Sequence, residues 1–153
     1  MIIVSACLAG KKCRWNGKDD IDEEIKKMVE GKDAIALCPE VLGGMSIPRK
    51  ACGIYGGLGD DVIKNKATVR TVDDGKDMTE SFVRGAEKLL KIAKAKNIKT
   101  AILKTPSPSC GCGKTWQLDD KFTNHIVSGD GVVTALLKMN GIEVIQKMVG
   151  RYL

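Results

Sequence analysis

The sequence predicts an α/β fold: a mainly parallel, Rossmann-like sheet in three layers, with helices on both faces and a small hairpin at one edge. Three observations predict it. The chain has 153 residues, which is enough for one domain with a full core. Short apolar runs of strand length alternate along it with amphipathic segments of helical period. Gly, Pro and Ser cluster between these segments and mark the connections. We therefore expect a single domain over residues 1–153.

The first part of the chain is predicted to form two strands and one helix. The apolar runs 1–4 and 34–37 predict the strands. Apolar residues at helical spacing predict a helix over 21–29, because acidic side chains at its start suit the helix dipole and Gly31 follows its end. Residues 43–59 are rich in glycine and predict a long irregular loop, of the kind that usually has a functional role.

The rest of the chain continues the alternation of strands and helices, which favours parallel strand pairing. Its predicted elements, in chain order, are an edge hairpin of residues 62–64 and 68–72, a helix that begins at Asp77, a strand at 100–103, a loop to about Gly131, a helix at 132–137 and a strand at 142–145.

The composition predicts a cytoplasmic protein. Hydrophobic residues make up 43% of the chain and charged residues 29%, as in ordinary globular domains. The first residues carry no basic leader, and no run of about 18 apolar residues could cross a membrane. In a reducing compartment the six cysteines are more readily explained as metal ligands or redox groups than as a disulfide framework.

The net charge of +6 raises the question of a nucleic-acid partner. Many of the lysines lie on or just after the helix that begins at Asp77, mixed with apolar residues, which is typical of a solvated helix face. Two Trp, two Tyr and two Phe leave little aromatic surface for stacking on bases. A nucleic acid is therefore the less favoured partner, and the oligomeric state does not follow from the sequence.

Three cysteines, Cys7, Cys38 and Cys110, each stand just past a predicted parallel strand. Because the carboxyl ends of parallel strands meet at one edge of a sheet, we expect them to converge. Thiolates favour zinc or an iron–sulfur cluster, and the chain has neither paired CxxC knuckles nor a histidine other than His125. Three ligands would leave one metal position open, as catalysis requires. The competing interpretation is that some of these cysteines are small core residues.

The sequence leaves the roles of the other cysteines open. Cys13 follows Cys7 by six residues, so it could close the metal site as a fourth ligand or stand beside it as an acid or thiol. Cys52 and Cys112 are weaker candidates, and the CxC pair formed by Cys110 and Cys112 is a weak signal for a labile thiol pair.

Polar residues near the same strand ends are candidates for the chemistry. Glu40 could position or deprotonate water, or serve only as a loop carboxylate. Ser107 and Ser109 could hydrogen-bond a polar ligand, or be plain turn residues. Arg49 could bind an anion or a carbonyl, or form a surface ion pair.

Long motifs identify a family. The chain resembles a formerly uncharacterised family of bacterial and archaeal domains that includes the thiouracil desulfurase TudS, and the resemblance covers nearly the whole chain. The segments that carry it are Ser5-Ala6-Cys7-Leu8-Ala9-Gly10, Cys13-Arg14-Trp15-Asn16-Gly17, Cys38-Pro39-Glu40 with Gly43-Gly44 and Pro48-Arg49, Ser107-Pro108-Ser109-Cys110-Gly111, and Gly129-Asp130-Gly131 with the helix after it.

The resemblance implies a 4Fe-4S cluster held by Cys7, Cys38 and Cys110, with a fourth iron that binds the sulfur of a thiolated nucleobase such as 2-thiouracil. It implies a non-redox desulfuration in which Glu40 activates water or passes protons and Ser107 orients the base. Such a cluster degrades in air, so aerobic preparations are expected to lose it or to take up zinc.

One departure from the family pattern bears on the substrate. After Pro48-Arg49 many members carry Pro-Ala-Glu or Pro-Cys-Glu, whereas this chain has Ala51-Cys52-Gly53. Three functions follow as hypotheses: a desulfurase for a small thiolated base or thioamide, a non-catalytic iron–sulfur or zinc protein that handles sulfur and is closed by Cys13, and a basic accessory protein that binds RNA.

Overall fold

Two four-stranded sheets organise the chain in the computed structural model, which describes residues 1–149. The last four residues of the expected domain, 150–153, lie outside the described residues. The strands are β1 (Ile2–Ser5), β2 (Ala34–Leu37), β3 (Cys52–Tyr55), β4 (Thr68–Thr71), β5 (Thr100–Thr105), β6 (Lys114–Leu118), β7 (Asn124–Ser128) and β8 (Glu143–Met148). The helices are α1 (Glu23–Glu30), α2 (Pro39–Leu42), α3 (Gly59–Ile63), α4 (Thr79–Ala95) and α5 (Val132–Met139), with a 3₁₀ turn at Ala6–Ala9.

The first sheet is entirely parallel, in the order β2-β1-β5-β8. The chain leaves β1 for β2 on one side and later returns to β5 on the other side. This makes the gap between β1 and β5 the point where the strand order reverses. Ligands of open α/β sheets bind outside the carboxyl ends of the strands at such a point.

Helices cover both faces of the first sheet. Successive strand residues face opposite ways, so Ile3 and Val4 pack on different sides. Val4 belongs to a core with Ile25 of α1, whereas Ile3 belongs to a larger core with Phe82 and Leu89 of α4. The predicted α/β class, with a parallel sheet flanked by helices, is confirmed.

The second sheet, in the order β4-β3-β6-β7, was not predicted. Its outer pairs β3–β4 and β6–β7 are antiparallel, and β3 pairs with β6 in parallel. Two predicted loops, 43–59 and the one that runs to Gly131, contain β3 and the β6–β7 hairpin, so both predictions are wrong. These strands were not predicted because they are short and mix polar residues and glycine with apolar ones, so they show no clear alternation of apolar and polar residues.

The edge hairpin predicted from 62–64 and 68–72 is also wrong. Residues 59–63 form α3, whose start is capped because the Asp61 carboxylate accepts a hydrogen bond of 2.9 Å from the Leu58 backbone N–H. This cap and the acidic first turn override the strand preference of Val62 and Ile63. β4 pairs with β3 instead. No helix among residues 1–149 is long and apolar enough to cross a membrane.

Asp22 caps α1 and ties it to the last strand. Its carboxylate accepts hydrogen bonds from the backbone N–H groups of Glu24 (3.1 Å) and Ile25 (3.2 Å), and it lies 3.0 Å from the Lys147 ammonium of β8. The bond from Lys147 lowers the pKa of Asp22, against an opposing effect of burial and with help from the backbone donors.

We predict that Asp22→Ala lowers the free energy of unfolding by about 1 kcal/mol at pH 7, because the helix loses its cap. The folded-state pKa of Asp22 is lowered, so its contribution is complete above the ordinary value of about 4 and is lost as the pH falls through the folded-state pKa. Urea unfolding from pH 7 to pH 3 should show the difference from wild type shrinking. Glu23→Ala, an exposed neighbour, is the control; an equal loss there would contradict the cap.

Candidate active site

A cavity of about 350 Å³ lies at the carboxyl ends of β1, β2 and β5, where the first sheet faces the second. The first sheet and its loops supply cysteine, serine and charged side chains to the wall. Segments of the second sheet supply Ala51, Cys52, Val72, Trp116 and Asn124.

The structure places Cys7, Cys38 and Cys110 on this one cavity. Cys7 lies in the 3₁₀ turn after β1, Cys38 joins β2 to α2, and Cys110 lies in the loop after β5. All are free thiols. Among residues 1–149, no three His, Cys, Asp or Glu side chains stand close enough to share a single metal ion. In a four-iron cluster each thiolate binds a different iron, so the three thiols do not need to be close enough to share one ion.

Cys13 lies on the same cavity, next to two of these thiols. Its hydrogen bond with Cys38 lowers the pKa of Cys13, but the one with Cys7, together with burial, outweighs it and raises the pKa to about 11. The bond with Cys13, followed by burial, raises the pKa of Cys38. Burial is the main reason that the pKa of Cys110 rises to about 12. Without metal these thiols are protonated at neutral pH, so metal binding must release protons.

Glu40 and Arg49 form a buried ion pair on the cavity wall. Arg49 Nε lies 2.8 Å from Glu40 Oε2, and the side chains are 6% and 15% exposed for Arg49 and Glu40. Burial alone would lower the pKa of Arg49, but the Glu40 carboxylate raises it, so the guanidinium stays charged. Arg49 Nη2 also donates to the Cys13 carbonyl at 2.9 Å. The anion that Arg49 binds is therefore Glu40.

The two candidate serines differ in what they contact. Ser107 Oγ accepts the backbone N–H of Cys110 at 2.9 Å and that of Ser109 at 3.2 Å, so it shapes the turn. Ser109 Oγ donates to Glu40 Oε1 at 3.0 Å and lies 3.8 Å from Cys110 Sγ. The hydroxyl that joins the carboxylate to a candidate metal ligand belongs to Ser109.

Neighbouring elements hold the Cys110 loop in place. Thr134 of α5 donates to the Cys110 carbonyl at 2.9 Å, and Thr115 of β6 donates to the Ser107 carbonyl at 2.9 Å. A Cβ at Gly111 would overlap the carbonyl oxygens of Ser107 and Lys114. Glycine is therefore required where β6 approaches the loop.

A buried charge cluster, missed from the sequence, anchors the Cys7–Cys13 loop. The Asp20 side chain is 5% exposed; its oxygens lie 3.1 and 3.3 Å from Arg14 Nε and Nη1 and 3.8 Å from Lys104 Nζ. The Asp20 backbone N–H donates to the Cys7 carbonyl at 3.1 Å. In the sequence Asp20 stands in an acidic run before α1 and looks like a helix-dipole residue, and nothing local distinguishes it from Asp19.

The remaining cysteines and the histidine divide between the cavity and the surface. Cys52 lines the cavity, and burial raises its pKa to about 12. Cys112 does not line it and directs its thiol to the Val144 carbonyl at 3.6 Å. His125 lies on β7 with an exposed contact of 2.7 Å to Asp119, away from the cavity.

Comparison with known proteins gives three matches. The sequence model of the 2-thiouracil desulfurase family matches residues 2–148. The uncharacterized protein YbbK of Bacillus subtilis (strain 168) is 44% identical over 147 residues, which cover 96% of this chain and 95% of YbbK. A solved structure of the [4Fe-4S]-dependent thiouracil desulfidase TudS superposes with a TM-score of 0.80 at 36% identity, covering 95% of this chain and 89% of that one.

We predict that Asp20→Asn lowers the free energy of unfolding by about 3 kcal/mol, because two buried cations lose their shared carboxylate. Urea unfolding measures it. The control is Glu30→Gln, which removes an exposed pair with Lys26 and should change stability by less than about 0.5 kcal/mol. A loss for Asp20→Asn as small as the control's would show that the cluster does not anchor the loop.

Proposed function

The chain belongs to the 2-thiouracil desulfurase family, and we propose on that basis that it is a 4Fe-4S-dependent desulfurase acting on a thiolated nucleobase such as 2-thiouracil. The observation that carries the proposal is the meeting of Cys7, Cys38, Cys110 and Glu40 on one cavity at the strand ends. The reaction is non-redox: water supplies the oxygen of the new carbonyl, the C–S bond breaks, and the sulfur leaves as sulfide.

The donor set of the cavity fits the cluster. Cys7, Cys38 and Cys110 would each bind one iron, and soft thiolates are the ligands that such clusters use; Cys7 and Cys110 are buried and Cys38 is partly buried. When bound, a cluster with three protein ligands supplies an open iron, a thiophilic Lewis acid for the substrate's sulfur. The protein's part is to hold these thiols on three separate loops around one space.

Glu40 acts on the water. Arg49 fixes Glu40 Oε2, which leaves Oε1 as the oxygen that receives a proton from the attacking water. Ser109 donates to that same Oε1 and also lies 3.8 Å from Cys110 Sγ. We assign Ser107 a supporting part, because its hydroxyl holds the turn that carries Ser109 and Cys110. Cys13 stands beside the ligands as an active-site thiol.

The size of the cavity supports a small substrate, and the free thiols support a reducing compartment. A volume of about 350 Å³ is at the low end for small-molecule pockets, which suits a small base or thioamide better than a nucleic acid. All six cysteines are free, which suits the reducing cytoplasm.

The rival function is a closed, non-catalytic site, and the contacts of Cys13 with Cys7 and Cys38 favour it.

We predict that anaerobically reconstituted protein binds about four irons per chain, as a cubane with three cysteine ligands requires, and releases sulfide from 2-thiouracil. Single Ser variants of Cys7, Cys38 and Cys110 should lose most of the iron and all measurable activity. Cys112→Ser is the matched control, because Cys112 lies on the same loop as Cys110 but outside the cavity. Wild-type protein that binds iron but releases no sulfide would contradict the proposed activity.

The same iron assay on Cys13→Ser decides between the two roles of Cys13. An active-site thiol predicts that the iron content is kept while the rate of sulfide release falls. A fourth ligand predicts that the iron is lost, and this outcome would favour the closed, non-catalytic site.

We predict that Glu40→Gln lowers kcat for sulfide release by about 10²- to 10⁴-fold, because an amide cannot accept the proton of water. The amide oxygen can still accept from Arg49, so the variant should still fold and load iron, as circular dichroism and iron analysis would show, although losing the buried charge pair lowers its stability. A kcat within about threefold of wild type would exclude Glu40 as the base.

A further inference from the structure

The two tryptophans of the chain have no evident part in the core. Trp15 follows Cys13 in the first loop and Trp116 lies on β6, yet both line the cavity. Neither belongs to the buried hydrophobic clusters of the described residues, and Trp15 is 46% exposed. Tryptophan is usually highly buried in globular proteins, so core packing does not explain why both residues line one cavity.

Trp116 lies on a strand that is bound to the Cys110 loop. β6 is an inner strand, paired on both sides. The residue before Trp116, Thr115, is fully buried and binds the Ser107 carbonyl at 2.9 Å. Because side chains alternate along a strand, Trp116 projects from the other face of β6, and its distance from the Cys110 loop is fixed by this bond.

We propose that the indole of Trp116 is the surface on which the ring of the thiolated base stacks, with Trp15 shielding the base at the mouth. This inference rests on the proposed desulfurase function. The substrate's sulfur must reach Cys7, Cys38 and Cys110, which lie on loops of the first sheet. The planar ring of the substrate therefore extends toward the side of the cavity that the second sheet forms. An aromatic face binds any planar base through stacking and exclusion of water.

The inference also selects among thioamide substrates. Stacking stabilises a bound flat aromatic ring but does not stabilise a small aliphatic thioamide. Both 2-thiouracil and 4-thiouracil should therefore bind far better than thioacetamide, although all three present a thiocarbonyl sulfur.

Kinetics of the cluster-loaded enzyme provide the first test. Trp116→Ala should raise KM for 2-thiouracil about 5- to 100-fold, the range expected for losing one base–aromatic stack, while kcat stays within about threefold. Trp116→Phe should recover most of the loss, because a phenyl ring still stacks. Ile126→Ala is the matched control: Ile126 pairs with Trp116 across the hairpin but is exposed and does not line the cavity. A lower kcat with unchanged KM would overturn the inference.

Fluorescence provides a second test that does not depend on turnover. Trp15→Phe leaves Trp116 as the chain's single tryptophan. Its emission should be quenched in a saturable way by 2-thiouracil and not by thioacetamide, in cluster-loaded and cluster-free protein alike. No saturable quenching would overturn stacking even if Trp116→Ala fails to fold. Wild-type enzyme that releases no sulfide would instead overturn the proposed function, and quenching would then still decide whether Trp116 binds the ring.

Discussion

The parallel pairing of β1 with β2 on one side and β5 on the other is the constraint on which the rest of the structure depends. It aligns three strand ends at one edge, so loops that are remote in sequence bring Cys7, Cys38 and Cys110 to one cavity. α1 packs on one face of this sheet, and α4 joins the other face to the second sheet in a common core. The cavity lies where the edge of the first sheet meets the second. Loss of this pairing would scatter the cysteines, whatever their own contacts.

Electrostatics explains how such a cavity tolerates several thiols. Without metal, burial and thiol–thiol contacts favour the protonated form of Cys13, Cys38 and Cys110. Metal binding must replace those protons and leaves negative charge on the sulfurs. Arg49 stands on the same wall, paired with Glu40 and bound to the Cys13 carbonyl. The buried cluster around Asp20 holds two further cations beside the Cys7 loop. Glu40 and Asp20 offset two of these three positive charges, so before any metal binds these groups leave one net positive charge near the thiols.

Local chemistry explains which parts the sequence could predict. β1, β2 and β5 contain continuous apolar runs (2–4, 34–37 and 101–103), whose pattern identifies a buried parallel sheet, and the sheet implies where Cys7, Cys38 and Cys110 meet. The edge strand β8 mixes polar and apolar residues. The second sheet rests on non-local pairing of short mixed strands, and its residues carry no comparable local signal.

The same limit applies to the site. Asp20 and Asp19 look alike in sequence, as do Ser107 and Ser109, and only the tertiary contacts show that Asp20 is buried and that Ser109 reaches Glu40. Likewise, the count of six aromatic residues does not show where the rings lie, and only the fold shows that both tryptophans line the cavity.

The residues that depart from the family pattern after Arg49 lie at the start of β3, beside the cavity. Where many members carry Pro-Ala-Glu or Pro-Cys-Glu, this chain places Ala51 and Cys52 on the cavity wall and begins β3. Asn124 of β7 donates to the Cys52 carbonyl at 3.1 Å, and a Cβ at Gly53 would overlap the Asn124 side chain, so the wall is closely packed and admits no larger residue at Gly53. Ala51, Cys52 and Val72 give this wall small side chains, and Asn124 and, just before β3, Lys50 add polar groups to it. In the order Ala51-Cys52-Gly53, the place of the glutamate is taken by Gly53, which does not line the cavity and presents no side chain there. We therefore propose that the thiols and the Glu40–Arg49 pair serve the hydrolysis and that the wall around Trp116 holds the ring.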